Sequence, residues 1–284
     1  MRKLLAQLKT QYQTEKSMFF VYFILRLIVL GILIRAITRL DYQAIFYCVL
    51  SLILFMLPTT LEHRLKITLP NTLEVIILFF IFANEILGEL GSYFVNVPNW
   101  DTLMHTTTGF LAAAVGFALI DMLNRSERFT FRMSPFYVAF TAFCFSMTVG
   151  VIWEFFEFAV DRFLGGDMQK DTVISAISSV ALDPTRSNKV ITVAGIRDVI
   201  LVTDSGEIPL GLGGYLDIGI MDTMKDLFVN FIGAVVFSFI GFFYVKNRGE
   251  GRFARRFIPT VRQHEQAGAE PLSETSGEQP PETD

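Results

Sequence analysis

Long runs of apolar residues constrain this chain more than any other feature of its sequence. Six stretches approach the ~20 residues that an α-helix needs to cross a bilayer. More than half of all residues are hydrophobic, and the runs lack the alternation of barrel strands. The sequence therefore predicts an all-α polytopic membrane protein with a six-helix transmembrane bundle. Its spans are expected at about Met18–Ala36, Ala44–Thr59, Leu69–Leu90, Asp101–Leu123, Pro135–Phe163 and Met221–Val245.

The distribution of Lys and Arg predicts how the bundle is oriented. With six spans both termini share one side, which receives the basic segments 1–17 and 246–262 and two basic loops. The other side receives Arg35, Arg39 and four scattered basic residues in one long loop. Because basic loops stay in the cytoplasm, both termini are expected there.

The segments outside the spans define the remaining organisation. Residues 1–17 are expected to be cytoplasmic or to lie along the membrane surface, and residues 18–163 hold the first five spans. Residues 164–220 contain KVITVAG and RDVILVT, β-branched runs broken by turn residues, which predict an extracytoplasmic loop with short strands. Residues 221–245 form the sixth span, and 246–284 are basic and then Pro- and Glu-rich, typical of a disordered cytoplasmic tail.

Polar residues gather at the outer end of four predicted spans. A charged side chain in a bilayer is costly, so it usually pairs, faces a cavity or marks a functional path. The spacings within each span put these residues on one helical face. The sequence therefore predicts an acidic, outward-facing pocket within the membrane. Its members are Glu85 and Glu89, Asp101 and His105, Glu154, Glu157 and Asp161, and Asp222, Asp226 and Asn230.

So many carboxylates repel each other unless some are protonated or a cation binds among them. Oxygen donors with one imidazole and no thiol favour Mg²⁺, Mn²⁺ or Ca²⁺ over a structural zinc ion. The candidate metal ligands are Asp101, Glu154, Glu157, Asp161, Asp222 and Asp226. The candidate catalytic residues are Asp101, His105, Glu154, Glu157 and Asp226, supported by Glu85, Glu89 and Asn230. The alternative interpretation is that these groups only hold the helices together through hydrogen bonds.

Three motifs carry a resemblance to known proteins. NWDTLMHTTTGF, VIWEFFEFAVD and DTMKDLFVNFIGA together resemble the YjdF-type bacterial membrane proteins, and more faintly the VanZ-like proteins. The matching positions are Asp101-x₃-His105, the pair Glu154 and Glu157, and Asp226-x₃-Asn230. VanZ-like proteins tend to carry Gln where this chain has Glu157. The resemblance implies a multi-pass protein of the bacterial inner membrane and specifies no reaction.

Three functions remain open at this point. The first is a divalent-cation-dependent site for an outer-leaflet, lipid-linked or polar small-molecule substrate, and the second is a proton- or cation-coupled transporter. The third is a membrane scaffold without catalytic activity. Beyond the lipid bilayer the sequence indicates no partner. No nucleic acid is expected as a partner. The net charge of −4 says nothing about this, because much of it comes from the acidic tail.

Overall fold

Helices dominate the computed structural model, which describes residues 16–65, 67–124, 133–247 and 254–261. Most of the predicted N-terminal segment and most of the predicted tail lie outside these residues. A π-helix over Phe82–Leu90 follows the helix Asn71–Ile81, and a second over Val160–Leu164 follows the helix Pro135–Ala159. The α-helices are α1 (Lys16–Arg39), α2 (Tyr42–Leu54), α3 (Leu57–Leu65), α4 (Asn71–Ile81), α5 (Tyr93–Asn96), α6 (Trp100–Asn124), α7 (Pro135–Ala159) and α8 (Ile220–Lys246).

Several helices are long and apolar enough to cross a membrane, as the sequence predicted. Within the described residues these are five: Phe20–Arg39, Tyr42–Arg64, Trp100–Asp121, Pro135–Phe163 and Ile220–Lys246. The third predicted span, Leu69–Leu90, is helical from Asn71 onward but is not among these five. Five candidate spans are thus established, and the count of six stays a prediction.

Local sequence signals set where two of these helices begin. Asp41 precedes α2, and its side chain accepts a hydrogen bond from the Ala44 backbone N–H at 3.0 Å. Ser134 precedes α7 and accepts from the Tyr137 N–H at 3.2 Å, with Pro135 in the first helical position. Such caps satisfy N–H groups that a helix leaves unpaired at its start.

Helices α6, α7 and α8 pack closely because glycines line their contacts. A Cβ atom on Gly109 would collide with the Asn230 carbonyl oxygen, and one on Gly233 with the Thr106 carbonyl oxygen. The Ser146 hydroxyl donates to the Gly109 carbonyl at 2.7 Å and joins α7 to the same place. Small residues allow the close helix contacts on which association within lipid depends.

Helices α1, α2 and α4 form the other part of the bundle. Val29, Cys48 and Leu78 are completely buried there. The described strands form four antiparallel pairs. These are β1 (Ile67–Thr68) with β8 (Thr260–Val261), β2 (Val173–Ile174) with β7 (Tyr215–Leu216), β3 (Ala176–Ser179) with β4 (Ile191–Ala194), and β5 (Ile200–Thr203) with β6 (Gly206–Pro209).

Short strands are present where the two β-branched runs predicted them, as β4 and β5. One part of the segment predicted as a tail packs against the bundle. Ile258 is 1% exposed, and the Phe257 ring meets the Phe110 ring edge-on at 5.6 Å. The chain therefore returns to the helices after α8 ends.

Candidate functional site

His105 lies at the centre of a cluster contributed by three helices. On α6, its Nε2 atom is 3.3 Å from Asp101 Oδ1, one helical turn earlier. The same nitrogen is 3.7 Å from Asp226 Oδ2 on α8, and Nδ1 is 4.0 Å from Glu154 Oε1 on α7. Both ring nitrogens therefore face carboxylates. Helices α6 and α8 begin at this end of the bundle, and α7 stops there. We call it the acidic end.

Lys225 supplies a positive charge that the sequence analysis did not single out. Its Nζ atom donates to Asp101 Oδ2 at 3.0 Å and lies 3.7 Å from Asp222 Oδ1 and 3.8 Å from Asp226 Oδ1. The signal was present in DTMKDLF, where this lysine stands between two members of the predicted acidic row. Its side chain is 46% exposed, so it pairs with the carboxylates from the solvent side of the cluster.

Two buried carboxylate oxygens in the cluster make no hydrogen bond within the described residues. They are Glu154 Oε2 and Asp226 Oδ1, and Asp226 is only 1% exposed. A buried polar atom without a partner is costly, on the order of 1–3 kcal/mol or more for a charged group. A proton or a bound cation would satisfy these atoms.

Three of the side chains have the geometry of a metal site. Asp101, His105 and Asp226 each offer one ligand atom, and these atoms lie within 4.8 Å of one another. Because Ca²⁺ and Mg²⁺ bind oxygen at roughly 2.0–2.6 Å, ligands around one ion lie within about twice that distance of each other. Two carboxylates and one imidazole also suit Mn²⁺.

Glu157 and Asp222 lie at the edge of the cluster, and both are buried. Glu157 Oε1 accepts a hydrogen bond from Trp153 Nε1 at 2.7 Å. Asp222 Oδ2 accepts from the Lys170 backbone N–H at 2.8 Å. Asp222 therefore connects the cluster to the segment that follows α7.

The remaining predicted acidic residues have other partners. Both Asp161 oxygens accept backbone N–H bonds, from Met168 at 2.6 Å and from Gln169 at 2.8 Å. Glu89 Oε2 accepts from the Tyr47 hydroxyl at 2.9 Å, and Glu85 from Asn84 Nδ2 at 3.2 Å. The structure thus pairs Glu89 with Tyr47 of α2 and Glu85 with its neighbour Asn84. It places Asp161 in the first turn of the π-helix after α7, where it binds the backbone that follows that helix.

Asn230 sits one turn beyond Asp226 on α8 and is 1% exposed. Its Nδ2 atom donates to Met147 Sδ at 3.6 Å, and its Oδ1 atom makes no hydrogen bond in the described part of the chain. A Cβ atom on Gly150 would meet Nδ2 at 2.6 Å. Asn230 therefore fills the narrow space between α7 and α8 directly beneath the cluster.

The long connection, residues 165–219, is attached to the acidic end at its start and at its finish. At its start Gln169 Nε2 donates to Thr223 Oγ1 at 2.5 Å. At its finish Asp217 accepts backbone N–H bonds from Thr172 at 3.0 Å, Gly219 at 3.1 Å and Met221 at 2.8 Å. Although burial opposes it, these three bonds hold the pKa of Asp217 below its ordinary value.

The long apolar helices define a polytopic membrane protein, and a cluster of ionisable side chains is buried between three of them. A family described as predicted membrane proteins, DUF2238, matches residues 20–247, and the chain belongs to this family. The narrower resemblances to YjdF-type and VanZ-like proteins stay predictions. Neither the curated proteins nor the solved structures gave a match.

Proposed function

We propose that the acidic end binds a divalent cation, Mg²⁺, Mn²⁺ or Ca²⁺, and acts on the polar head of an outer-leaflet or lipid-linked substrate. The observation that carries this proposal is the trio Asp101, His105 and Asp226, whose ligand atoms lie within 4.8 Å of one another. The buried oxygens Glu154 Oε2 and Asp226 Oδ1, which make no hydrogen bond within the described residues, also support it. A cation would offset the repulsion that these carboxylates otherwise exert on each other.

Each residue has a role in this proposal. Asp101 and Asp226 are the oxygen ligands and His105 Nε2 is the nitrogen ligand. Glu154 faces the other ring nitrogen and would fix its proton there, as carboxylates commonly do behind a metal-bound histidine. Glu157, a further buried carboxylate at the edge of the cluster, would exchange a proton with substrate.

We further propose that the bundle has six spans in a bacterial inner membrane, with both termini cytoplasmic and the acidic end outside. The contacts of the third helix support the count. Glu74 Oε1 accepts from the Tyr22 hydroxyl at 2.6 Å near the start of α1, and Glu89 accepts from Tyr47 near the start of α2. Helices α1 and α2 are consecutive and pack as a pair, so the start of one lies beside the end of the other. The contacts of Glu74 and Glu89 therefore lie towards opposite ends of this helix pair. The fifteen helical steps from Glu74 to Glu89 cover at most ~22 Å, most of a ~30 Å hydrocarbon layer.

Metal binding by the purified protein tests the proposed site. Binding of Mn²⁺ would be measured by titration calorimetry and by electron paramagnetic resonance in detergent, for the wild type and for Asp101→Asn and Asp226→Asn. Asp204→Asn, on an exposed turn of the long connection, is the matched control. We expect one ion per chain for the wild type and the control, and at least tenfold weaker binding for both site variants.

Absence of Mn²⁺, Mg²⁺ and Ca²⁺ binding by folded wild type would overturn the metal site. The second candidate, a proton-coupled transporter, would then gain weight, because both nitrogens of His105 face carboxylates. Against it, the aromatic rings of Phe110, Phe117 and Phe237 fill the α6–α8 contact beyond the cluster. If the protein kept its function in cells after Asp101 and Asp226 were replaced together, the third candidate, a scaffold, would be favoured.

A further inference from the structure

An apolar cavity of about 240 Å³ lies between α3, α4 and α6. Leu57, Leu73 and Ala112 are in its wall, one from each of these helices. Among the described residues of the wall, Thr108 alone carries a side-chain hydroxyl, and it already donates to the Met104 carbonyl oxygen at 3.0 Å. The wall therefore offers a ligand only apolar contact.

The cavity begins close to the acidic cluster. Thr108 follows His105 by three residues on α6, which is less than one turn of the helix. Ala112 and Val115 continue along the same side of α6 and also line the cavity. Helix α6 therefore carries the His105 imidazole in one turn and part of the apolar cavity wall in the turns that follow.

Ile67 and Pro259 line the cavity on the side where the β1–β8 strands pair, and Ile67 is the partner of Val261 in that pairing. Ala118, the cavity residue on α6 farthest from the cluster, is thirteen residues from His105, or ~20 Å along the helix. A chain that ran from the cluster to Ala118 would exceed half of a ~30 Å hydrocarbon layer.

We propose that this cavity binds the hydrocarbon chain of the substrate, a long-chain lipid whose polar head reaches His105. The inference rests on the proposed function of the acidic end and specifies the class of substrate. Because α6 and the α2–α3 segment are candidate membrane spans, hydrocarbon is the medium next to the wall. The volume is below the ~300–1,000 Å³ of sites for drug-sized ligands, which favours one narrow chain over a ring system.

Photolabelling tests this assignment. The full chain would be reconstituted in lipid nanodiscs containing a phosphatidylglycerol with a diazirine at the end of one long acyl chain. Labelled peptides would be mapped by mass spectrometry. We expect labels on wall residues around Leu57 and Ala118 in the wild type. Val115→Phe should reduce them at least fivefold, because the new ring fills the cavity. Val236→Phe, the same change on a side chain that is 47% exposed on α8, should leave them unchanged.

The outcomes separate this inference from the proposed metal site. Thermal unfolding in detergent shows independently of metal binding that both variants are folded. If the wild type binds Mn²⁺ but its cavity wall is not labelled, only the proposal of a bound lipid chain is overturned. If the wall is labelled but Mn²⁺ does not bind, only the proposal of a metal site is overturned. Labels confined to residues around Thr108 would place the chain end beside the cluster and contradict the proposed direction of the lipid. If a segment of the protein itself filled the cavity and prevented labelling of its wall, the proposal of a bound lipid chain would also be contradicted.

Discussion

At the scale of single residues, Lys225 determines how much carboxylate charge is left for a metal ion. Its ammonium group lies within 4 Å of Asp101, Asp222 and Asp226, so it competes with a cation for the same oxygens. We expect Lys225→Met to strengthen Mn²⁺ binding by about tenfold, which corresponds to about 1.4 kcal/mol. Titration calorimetry on both proteins would measure the change.

Lys170→Met is a matched control for this substitution. The Lys170 side chain is 45% exposed, nearly the same as that of Lys225, but its carboxylate partner is Asp167. Its replacement should leave the Mn²⁺ affinity unchanged. Weaker Mn²⁺ binding by Lys225→Met than by Lys170→Met would contradict the competition between Lys225 and the cation. It would show instead that Lys225 organises the metal ligands.

The protonation of the cluster gives a second prediction at this scale. A metal ion binds deprotonated carboxylates and a neutral imidazole nitrogen, so binding releases protons. We therefore expect Mn²⁺ affinity to fall as the pH is lowered, by more in the wild type than in His105→Gln. Calorimetry in two buffers with different ionisation enthalpies would count the released protons. An affinity independent of pH between 5 and 8 would exclude His105 as a ligand.

The helical spacings predicted which side chains share a face, and the structure brings four of them together. Asp101, His105, Glu154 and Asp226 come from three helices whose acidic rows were visible in the sequence. Periodicity identifies a face of a helix but not the neighbour that this face meets. For this reason Glu89, which shares the expected pattern, contacts Tyr47 instead. The contribution of Lys225 depends on the same unpredictable packing.

At the scale of elements, two glycines set the distance between α6 and α8. A methyl group on Gly233 would collide with the Thr106 carbonyl oxygen, which is backbone and cannot rotate away. We expect Gly233→Ala to destabilise the protein by about 1–3 kcal/mol, the usual cost of overpacking. Gly31→Ala is the control, since a Cβ atom there would meet no atom of the described residues within 4 Å apart from its own helix backbone and chain neighbours. Thermal unfolding in detergent would compare them, and equal melting temperatures would refute the close contact.

The junction between β7 and α8 depends on Asp217. Asp217→Asn should weaken three backbone hydrogen bonds, at a cost of about 1–3 kcal/mol, and speed hydrogen exchange at Thr172, Gly219 and Met221. Because the pKa of Asp217 is lowered in the folded protein, its stabilisation is complete above the ordinary value of ~4 and is lost as the pH falls below it. Asp204→Asn serves as the control, and identical exchange in both variants would contradict the proposed role.

Element boundaries were predicted less well than the elements themselves. The second predicted span, Ala44–Thr59, is apolar throughout, yet α2 ends at Leu54 and α3 starts at Leu57. The predicted third span changes from α-helix to π-helix at Phe82. Hydropathy reports the average character of a segment, whereas such interruptions depend on hydrogen bonding and on side chains from neighbouring helices.

At the scale of the whole molecule, the number of spans decides which side the acidic end faces. Six spans place both termini on one side, and five place them on opposite sides. We expect fluorescent-protein fusions to the N-terminus and to the C-terminus to fluoresce inside bacterial cells. We also expect Ser205→Cys, in a background lacking Cys48 and Cys144, to react with an impermeant maleimide in intact cells. If Ser205→Cys did not react in intact cells but reacted after lysis, the topology would be the inverse of the proposed one. Since Gln169 and Lys170 bind the first turn of α8, the side on which this loop is labelled is also the side from which the proposed polar substrate would reach His105.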